Sequence, residues 1–327
     1  MDNPEAILNI VRPFLSEWGL VPVSVELASH SENIVYKLLA EDKKYYALRV
    51  HRHGYHSLEE LNSEQLWTSA LYNFGVSVPQ VCRRKNGQYY KAVQIAGQTR
   101  YLGVVEWLNG QVLHDVVEHD SNASALTSHL LELGGIMAQT HNQATSWQIP
   151  QEFERHQWNV EGFLGVSPHW GKFWEVPQLD DEQRQIINQV REYLIRRLND
   201  YGERPQTYSM IHADMHHGNL MKVDDHITVI DFDDAGFGWH LYDMAVAIYH
   251  FQDRENFADI QSAIVEGYRR HRQLADADVA RLPDFLLLRN VAILGWIYGR
   301  TELDQGDRLP SLVDGICRVA KKIGIAA

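Results

Sequence analysis

The sequence is poor in cysteine, in basic charge and in long apolar runs, and each shortage excludes something. Cys82 and Cys317 are the only cysteines in 327 residues, and no CxxC pair or ligand cluster surrounds either. A cysteine-based zinc site is excluded, and a reducing cytosol is expected. Acidic residues outnumber basic ones by 43 to 30, giving a formal charge of −13. A duplex nucleic-acid binder needs a basic face to neutralise phosphates, so no nucleic-acid partner is expected. The same balance mildly favours a cationic small substrate. The most apolar late stretch, FLLLRNVAILGWIYG, is interrupted by Arg289 and Asn290 and is too short to span a bilayer. The opening segment, MDNPEAILNIVRPFLSEWGL, lacks the basic start of a signal peptide and reads as an amphipathic helix. The expectation is a cytoplasmic protein with no membrane partner. Internal repeats and low-complexity segments are also missing.

What is present divides the chain in two. The length suits two lobes rather than one small core. VPVSVELAS, IVYKLLA and KYYALRVHR are rich in β-branched and aromatic residues, as strands are. SLEELNSEQLWTSALYNFG then reads as a helix ending on Gly75. VPQVCRRKNG, QYYKAVQIA and RYLGVVEWL read as further strands, with Asn86-Gly87 as a turn. After Gly110 apolar residues recur at helical spacing, as in Leu126, Leu130, Leu133 and Met137. The expected class is α+β, with a β-rich first lobe over 1–105, a connecting hinge over 106–110 and a mostly helical second lobe over 111–327.

One β-rich island interrupts the helical part: IHADMHHGNLMKVDDHITVIDFDDAG. Two short apolar runs, Leu220–Val223 and Ile227–Ile230, flank a three-residue turn, Asp224-Asp225-His226. A hairpin centred on Asp225 puts Asn219 across from Asp231, within one register step. An amide oxygen and a carboxylate side by side suit a hard cation such as Mg²⁺, which takes few protein ligands. Asp214 enters that end of the hairpin from a loop, where a carboxylate can orient a hydroxyl and accept its proton. Metal plus positioned acceptor are the parts that phosphoryl transfer needs.

His212-Ala213-Asp214, Asn219 five residues on, the hairpin and Asp231-Phe232-Asp233 together resemble the catalytic and metal motifs of protein kinases. The resemblance is closer to the aminoglycoside phosphotransferase and type II homoserine kinase superfamily, whose loop begins with His, any residue and Asp. It implies a protein-kinase-like two-lobed fold, ATP and Mg²⁺ as cofactors, Asp214 as catalytic base, and Asn219 and Asp231 as metal ligands. His212 supports the loop, Asp233 supports the site from behind, and Asp243, in TyrAspMetAla, braces the loop from the following helix. In the first lobe the resemblance implies a phosphate-binding cation on a strand, paired with a helix carboxylate. Arg49 stands where a Lys is usual, and Glu64 is its partner. SHSENIV would cover the phosphates through backbone amides and the side chains of Ser31 and Asn33, since it has no glycine-rich pattern. VVEWLNG resembles the hinge, with backbone groups of Glu106 and Leu108 facing an adenine edge.

The implied activity is phosphotransfer from ATP to a hydroxyl of a small metabolite such as homoserine, an amino alcohol or an aminoglycoside-like compound. A Ser/Thr protein kinase of the same fold is the alternative acceptor class. Two other readings are weaker. The run His212, Asp214, His216, His217 suggests a metal-dependent hydrolase, but no second histidine cluster accompanies it. A silent nucleotide-binding module is disfavoured because Asp214, Asn219 and Asp231 are all present. His141 and the tryptophans 158, 170, 174 and 239 read as structural, although the irregular aromatic segment 150–180 is suited to an acceptor pocket.

Overall fold

The computed structural model describes residues 3–30, 33–119, 123–300 and 305–326. In chain order it opens with α1 (Pro4–Val11), β1 (Pro22–His30), β2 (Ile34–Ala40), β3 (Tyr45–Val50), α2 (Leu58–Phe74), β4 (Lys91–Ile95), β5 (Gln98–Glu106), β6 (Gln111–Val112) and α3 (Leu113–His119). It continues with α4 (Ala123–Ser146), β7 (Gln157–Trp158), α5 (Val160–Leu164), α6 (Asp181–Tyr201), β8 (Tyr208–Ile211), β9 (Leu220–Val223) and β10 (His226–Val229). It closes with β11 (Gly236–Trp239), α7 (His240–Ile248), α8 (Phe257–Arg269), α9 (Asp276–Val279), α10 (Leu282–Tyr298) and α11 (Leu309–Lys322). Strands concentrate early and helices late, as an α+β chain requires. Among the described residues no helix is long and apolar enough to cross a membrane.

The chain does not divide at a single point. One compact unit comprises Met1–Val116, Trp147–Arg155 and Gly218–Asp233, and the other comprises Val117–Ser146, His156–His217 and Asp234–Ala327. The expected division at 106–110 therefore misses two later segments that return to the first unit. The reason is strand pairing. β6 pairs with β9 through Gln111↔Lys222 and Val112↔Met221, and the Val229 amide donates to the Ser77 carbonyl at 3.1 Å. Gly110 lets the chain pass over β9, because a Cβ there would stand 2.4 Å from the Lys222 carbonyl oxygen.

In the first unit an antiparallel sheet has the order β1-β2-β3-β5-β4. Strict alternation along β2 buries Ile34, Tyr36, Leu38 and Ala40. They pack with Leu48, Val50, Leu102 and Val104, and with Val11, Leu15 and Trp18 from the N-terminal helical segment. α2 begins at a capping box: the Glu60 amide donates to Ser57 Oγ at 3.0 Å, and the Ser57 amide donates to Glu60 Oε2 at 2.9 Å. It stops at Gly75, which adopts a left-handed φ of 100°. The expected strand over 78–87 is reduced to one bridge, Val81↔Val105. Pro79 has no N–H to give a ladder, and the chain turns back at Gly87. The turn of the 220–229 hairpin has two residues rather than three. His226 pairs with Val223 as part of β10, and Asp224 takes a φ of 52°, which an aspartate tolerates.

In the second unit α4 and α8 cross with their backbones almost touching. A Cβ at Gly134 would meet the Ile264 carbonyl oxygen at 2.2 Å, and one at Gly267 would meet that of Leu131 at 1.9 Å. α10 is buried on nearly every side from Leu282 to Ile297 and packs against α7 and α11. A helix apolar all round is a core helix. The sheet β7-β11-β8 carries the chain into the loop that follows β8.

Candidate active site

The loop after β8 begins under strain. Ala213 is fully buried with a φ of 64°, a conformation costly for a residue with a Cβ. Its support is Asp243, itself completely buried on α7. The His212 amide donates to Asp243 Oδ2 at 3.1 Å and the Ala213 amide to Oδ1 at 2.7 Å. His141 Nε2 lies 3.1 Å from the same Oδ2, and the Tyr268 hydroxyl lies 2.9 Å from His141 Nδ1. Burial holds His141 well below its ordinary pKa, so the ring is neutral, with Nε2–H donating to the carboxylate. Burial raises the Asp243 carboxyl to about 6, against the opposing pull of His212 and the two amides. Asp243→Asn would turn an amide NH₂ towards groups that are already donors. It is expected to cost about 3 kcal/mol and lower Tm by roughly 5–10 °C. An unchanged Tm in a thermal melt would remove Asp243 as the support of the loop.

The strained turn delivers Asp214. Its amide donates to His212 Nδ1 at 3.2 Å, which commits that buried histidine to the loop itself. Arg289 donates from Nη2 to Asp214 Oδ1 at 2.6 Å, and His216 Nε2 lies 3.3 Å from Oδ2. Burial pushes the Asp214 carboxyl up, but His216 and Arg289 outweigh it and hold the group well below the carboxylate range. Asp214 is therefore ionised at any working pH, able to accept a hydrogen bond from a hydroxyl.

In the first unit Arg49, on β3, meets three carboxylates. Its guanidinium is 3.8 Å from Glu64 on α2, 2.6 Å from Asp231 and 3.4 Å from Asp233. Asp231 is 44% exposed and holds a φ of 63°, and it follows the strand pairing in which the Ile230 amide donates to the Asn219 carbonyl at 3.0 Å. Asn219 thus faces Ile230, one register step from Asp231. Asp233 is buried. Its Oδ2 accepts from Asn33 Nδ2 at 3.2 Å, and His51 and His56 stand 3.8 and 3.7 Å from Oδ1. Arg155 caps its backbone carbonyl. Burial raises the Asp233 carboxyl, but Arg49, His51 and His56 bring it well below its ordinary value. A cavity of ≈ 80 Å³ adjoins this network, lined among others by Arg49, Glu64, Gln65, Tyr90, Val104 and Phe232.

The other sequence-derived positions differ in their circumstances. Asn33 uses both ends of its amide, since Oδ1 accepts from the Arg52 amide at 2.9 Å while Nδ2 serves Asp233. It anchors the turn. Ser31 lies outside the described residues. The Glu106 amide donates to the Gln80 carbonyl at 2.9 Å, whereas the Leu108 amide has no partner among the described residues. Sequence reasoning missed Arg289, His51 and Arg155. A signal for the first was available: an arginine inside an apolar helix must find an acceptor.

Comparison with known proteins adds four findings. A model of the phosphotransferase enzyme family matches residues 24–278. Amicoumacin kinase of Bacillus subtilis is 26% identical over 315 residues, spanning 93% of this chain and 88% of that protein. The solved structure of a microcompartment-associated aminopropanol kinase superposes with a TM-score of 0.84 at 30% identity, covering 96% of this chain and 97% of that one. An amicoumacin kinase solved with AMP-PNP, Ca²⁺ and Ami shares the fold at a TM-score of 0.77 and 22% identity, over 97% of this chain and 96% of that one.

Proposed function

Because this chain belongs to the phosphotransferase enzyme family and has its protein-kinase-like α+β fold, we propose that it phosphorylates the hydroxyl of a small, amine-bearing alcohol at the expense of ATP. It is an enzyme. The observation that carries the acceptor chemistry is Asp214: an ionised carboxylate on a strained loop whose backbone is clamped by Asp243. Such a group can orient a hydroxyl and take its proton as the oxygen bonds to phosphorus. The choice of an amino alcohol rests on the relative that is a kinase of aminopropanol, while the relative that is a kinase of amicoumacin supports a small-molecule acceptor.

The nucleotide side is assigned to the first unit. Mg²⁺ is the metal in this reading, and the donor set fits it: a half-exposed carboxylate on Asp231 and an amide oxygen on Asn219, both hard oxygen ligands. When bound, the ion neutralises charge on the phosphates. Arg49 is the cation available for the phosphates, held in place by Glu64 and Asp233. The planar guanidinium can bridge carboxylates in a way that a lysine ammonium cannot.

The test is ADP release with Mg·ATP against a panel of short amino alcohols, homoserine, choline, aminoglycosides, sugars and a generic protein substrate. Turnover on a small amine-bearing alcohol, with a KM below about 1 mM, is the expected result. Turnover on the protein substrate alone would overturn the acceptor class, and absence of nucleotide binding would overturn the reading altogether.

A further inference from the structure

Arg289 sits in the middle of α10, only 5% exposed, where an unpaired guanidinium would cost several kcal/mol. Three elements fix it there. Nη2 donates to Asp214 Oδ1 at 2.6 Å, and Nη1 reaches the Tyr242 hydroxyl on α7 at 3.4 Å. The guanidinium also lies 5.0 Å from the centroid of the Trp170 ring. The Trp170 segment can come this close because of two glycines. Gly171 has a φ of 103°, and a Cβ on Gly295 would stand 2.5 Å from the Gly171 carbonyl oxygen. Nε of Arg289 is buried without a hydrogen-bond partner. So costly an arrangement does more than fill a core.

The two oxygens of Asp214 are held unequally. Oδ1 faces a buried, permanently charged arginine at 2.6 Å; Oδ2 faces His216 at 3.3 Å, a ring 26% exposed on the same short loop. An incoming hydroxyl displaces the longer, more exposed contact at lower cost. We propose that Arg289 is a positioning residue for the transfer, pinning Asp214 Oδ1 so that Oδ2 receives the acceptor, which enters by displacing His216. This rests on the reading of Asp214 as the base. In the step itself the acceptor O–H bond breaks, its proton passes to Oδ2, and a bond forms from the acceptor oxygen to the γ-phosphorus. The bond from the γ-phosphorus to the bridging oxygen breaks, and ADP leaves with the electron pair.

Steady-state kinetics on the acceptor found in the panel test this, with ATP and acceptor varied separately. Arg289→Gln is expected to lower kcat about 10²-fold and leave the KM for ATP within about twofold. Arg289→Lys, which restores charge without the fork, is expected to recover about tenfold of that loss. His216→Asn, which weakens the contact that the acceptor must displace, is expected to lower the acceptor KM about fivefold, with kcat within about threefold of the wild type. In a cycle with Asp214→Asn, adding Arg289→Gln is expected to cost no further kcat, because its partner is already altered. Should Arg289→Gln not fold, the lysine variant carries the test through its loss of kcat at unchanged KM for ATP. A kcat within about threefold of wild type in either folded Arg289 variant overturns the proposal. So does a full additional loss in the cycle. His216→Asn losing kcat while its acceptor KM stays fixed overturns the choice of Oδ2. A wild type inert on every acceptor sinks the proposed function itself, whereas Asp214-dependent turnover indifferent to Arg289 sinks only this inference.

Discussion

Asp214→Asn is expected to lower kcat about 10³-fold while leaving the affinity for ATP within a few-fold. The substitution preserves shape and keeps an oxygen for Arg289, whose bond of 2.6 Å is to Oδ1. It removes the charge that draws a hydroxyl proton, and turns either an amide donor or a weak neutral acceptor towards the substrate. Arg289 would then be buried beside a neutral partner, so a Tm lower by several degrees is also expected. Single-turnover transfer, nucleotide binding and a thermal melt on the same preparation separate these effects. Wild-type kcat in a folded Asp214→Asn protein would remove Asp214 from the chemistry. Loss of ATP binding in step with kcat would mean that the residue serves the nucleotide instead.

The local signals were the legible ones. The spacing from His212 to Asp233 is read from consecutive residues, and its hairpin is a short-range event; the register of β9 on β10 departs from expectation only by a two-residue turn. Ser57, Glu60 and Gly75 mark both ends of α2 because capping is chemistry of neighbouring residues. The pairing of Arg49 with Glu64, 3.8 Å apart, was implied by the family resemblance and not by the strand and helix positions alone. What sequence could not give depends on residues far apart in the chain. Asp233 gathers Asn33, Arg49, His51, His56 and Arg155, and no pattern in one sequence ties these together. Arg289 lies 75 residues from Asp214, and its apolar surroundings made it read as an interruption rather than a partner. The return of 147–155 and 218–233 to the first unit follows from pairings such as β6 with β9, which a linear division of the chain cannot contain.

Asp231→Ala is expected to reduce kcat/KM for Mg·ATP about 10³-fold, roughly 4 kcal/mol of transition-state stabilisation, with little change in Tm. The reason for the asymmetry is exposure and company. Asp231 is 44% exposed, so its loss opens no core cavity. Arg49, left without its contact at 2.6 Å, still has Asp233 at 3.4 Å and Glu64 at 3.8 Å. Asp233→Ala should behave in the opposite way. It removes a buried carboxylate that Asn33, Arg49, His51 and His56 all face, and folding should suffer before nucleotide affinity can be measured. The two neighbouring aspartates therefore separate metal binding from architecture. Isothermal titration with Mg·ATP and a thermal melt on each variant read that separation directly. Equal destabilisation by both would show that Asp231 is a structural partner of Arg49. A nucleotide affinity untouched in Asp231→Ala would move the metal to other oxygens of the chain.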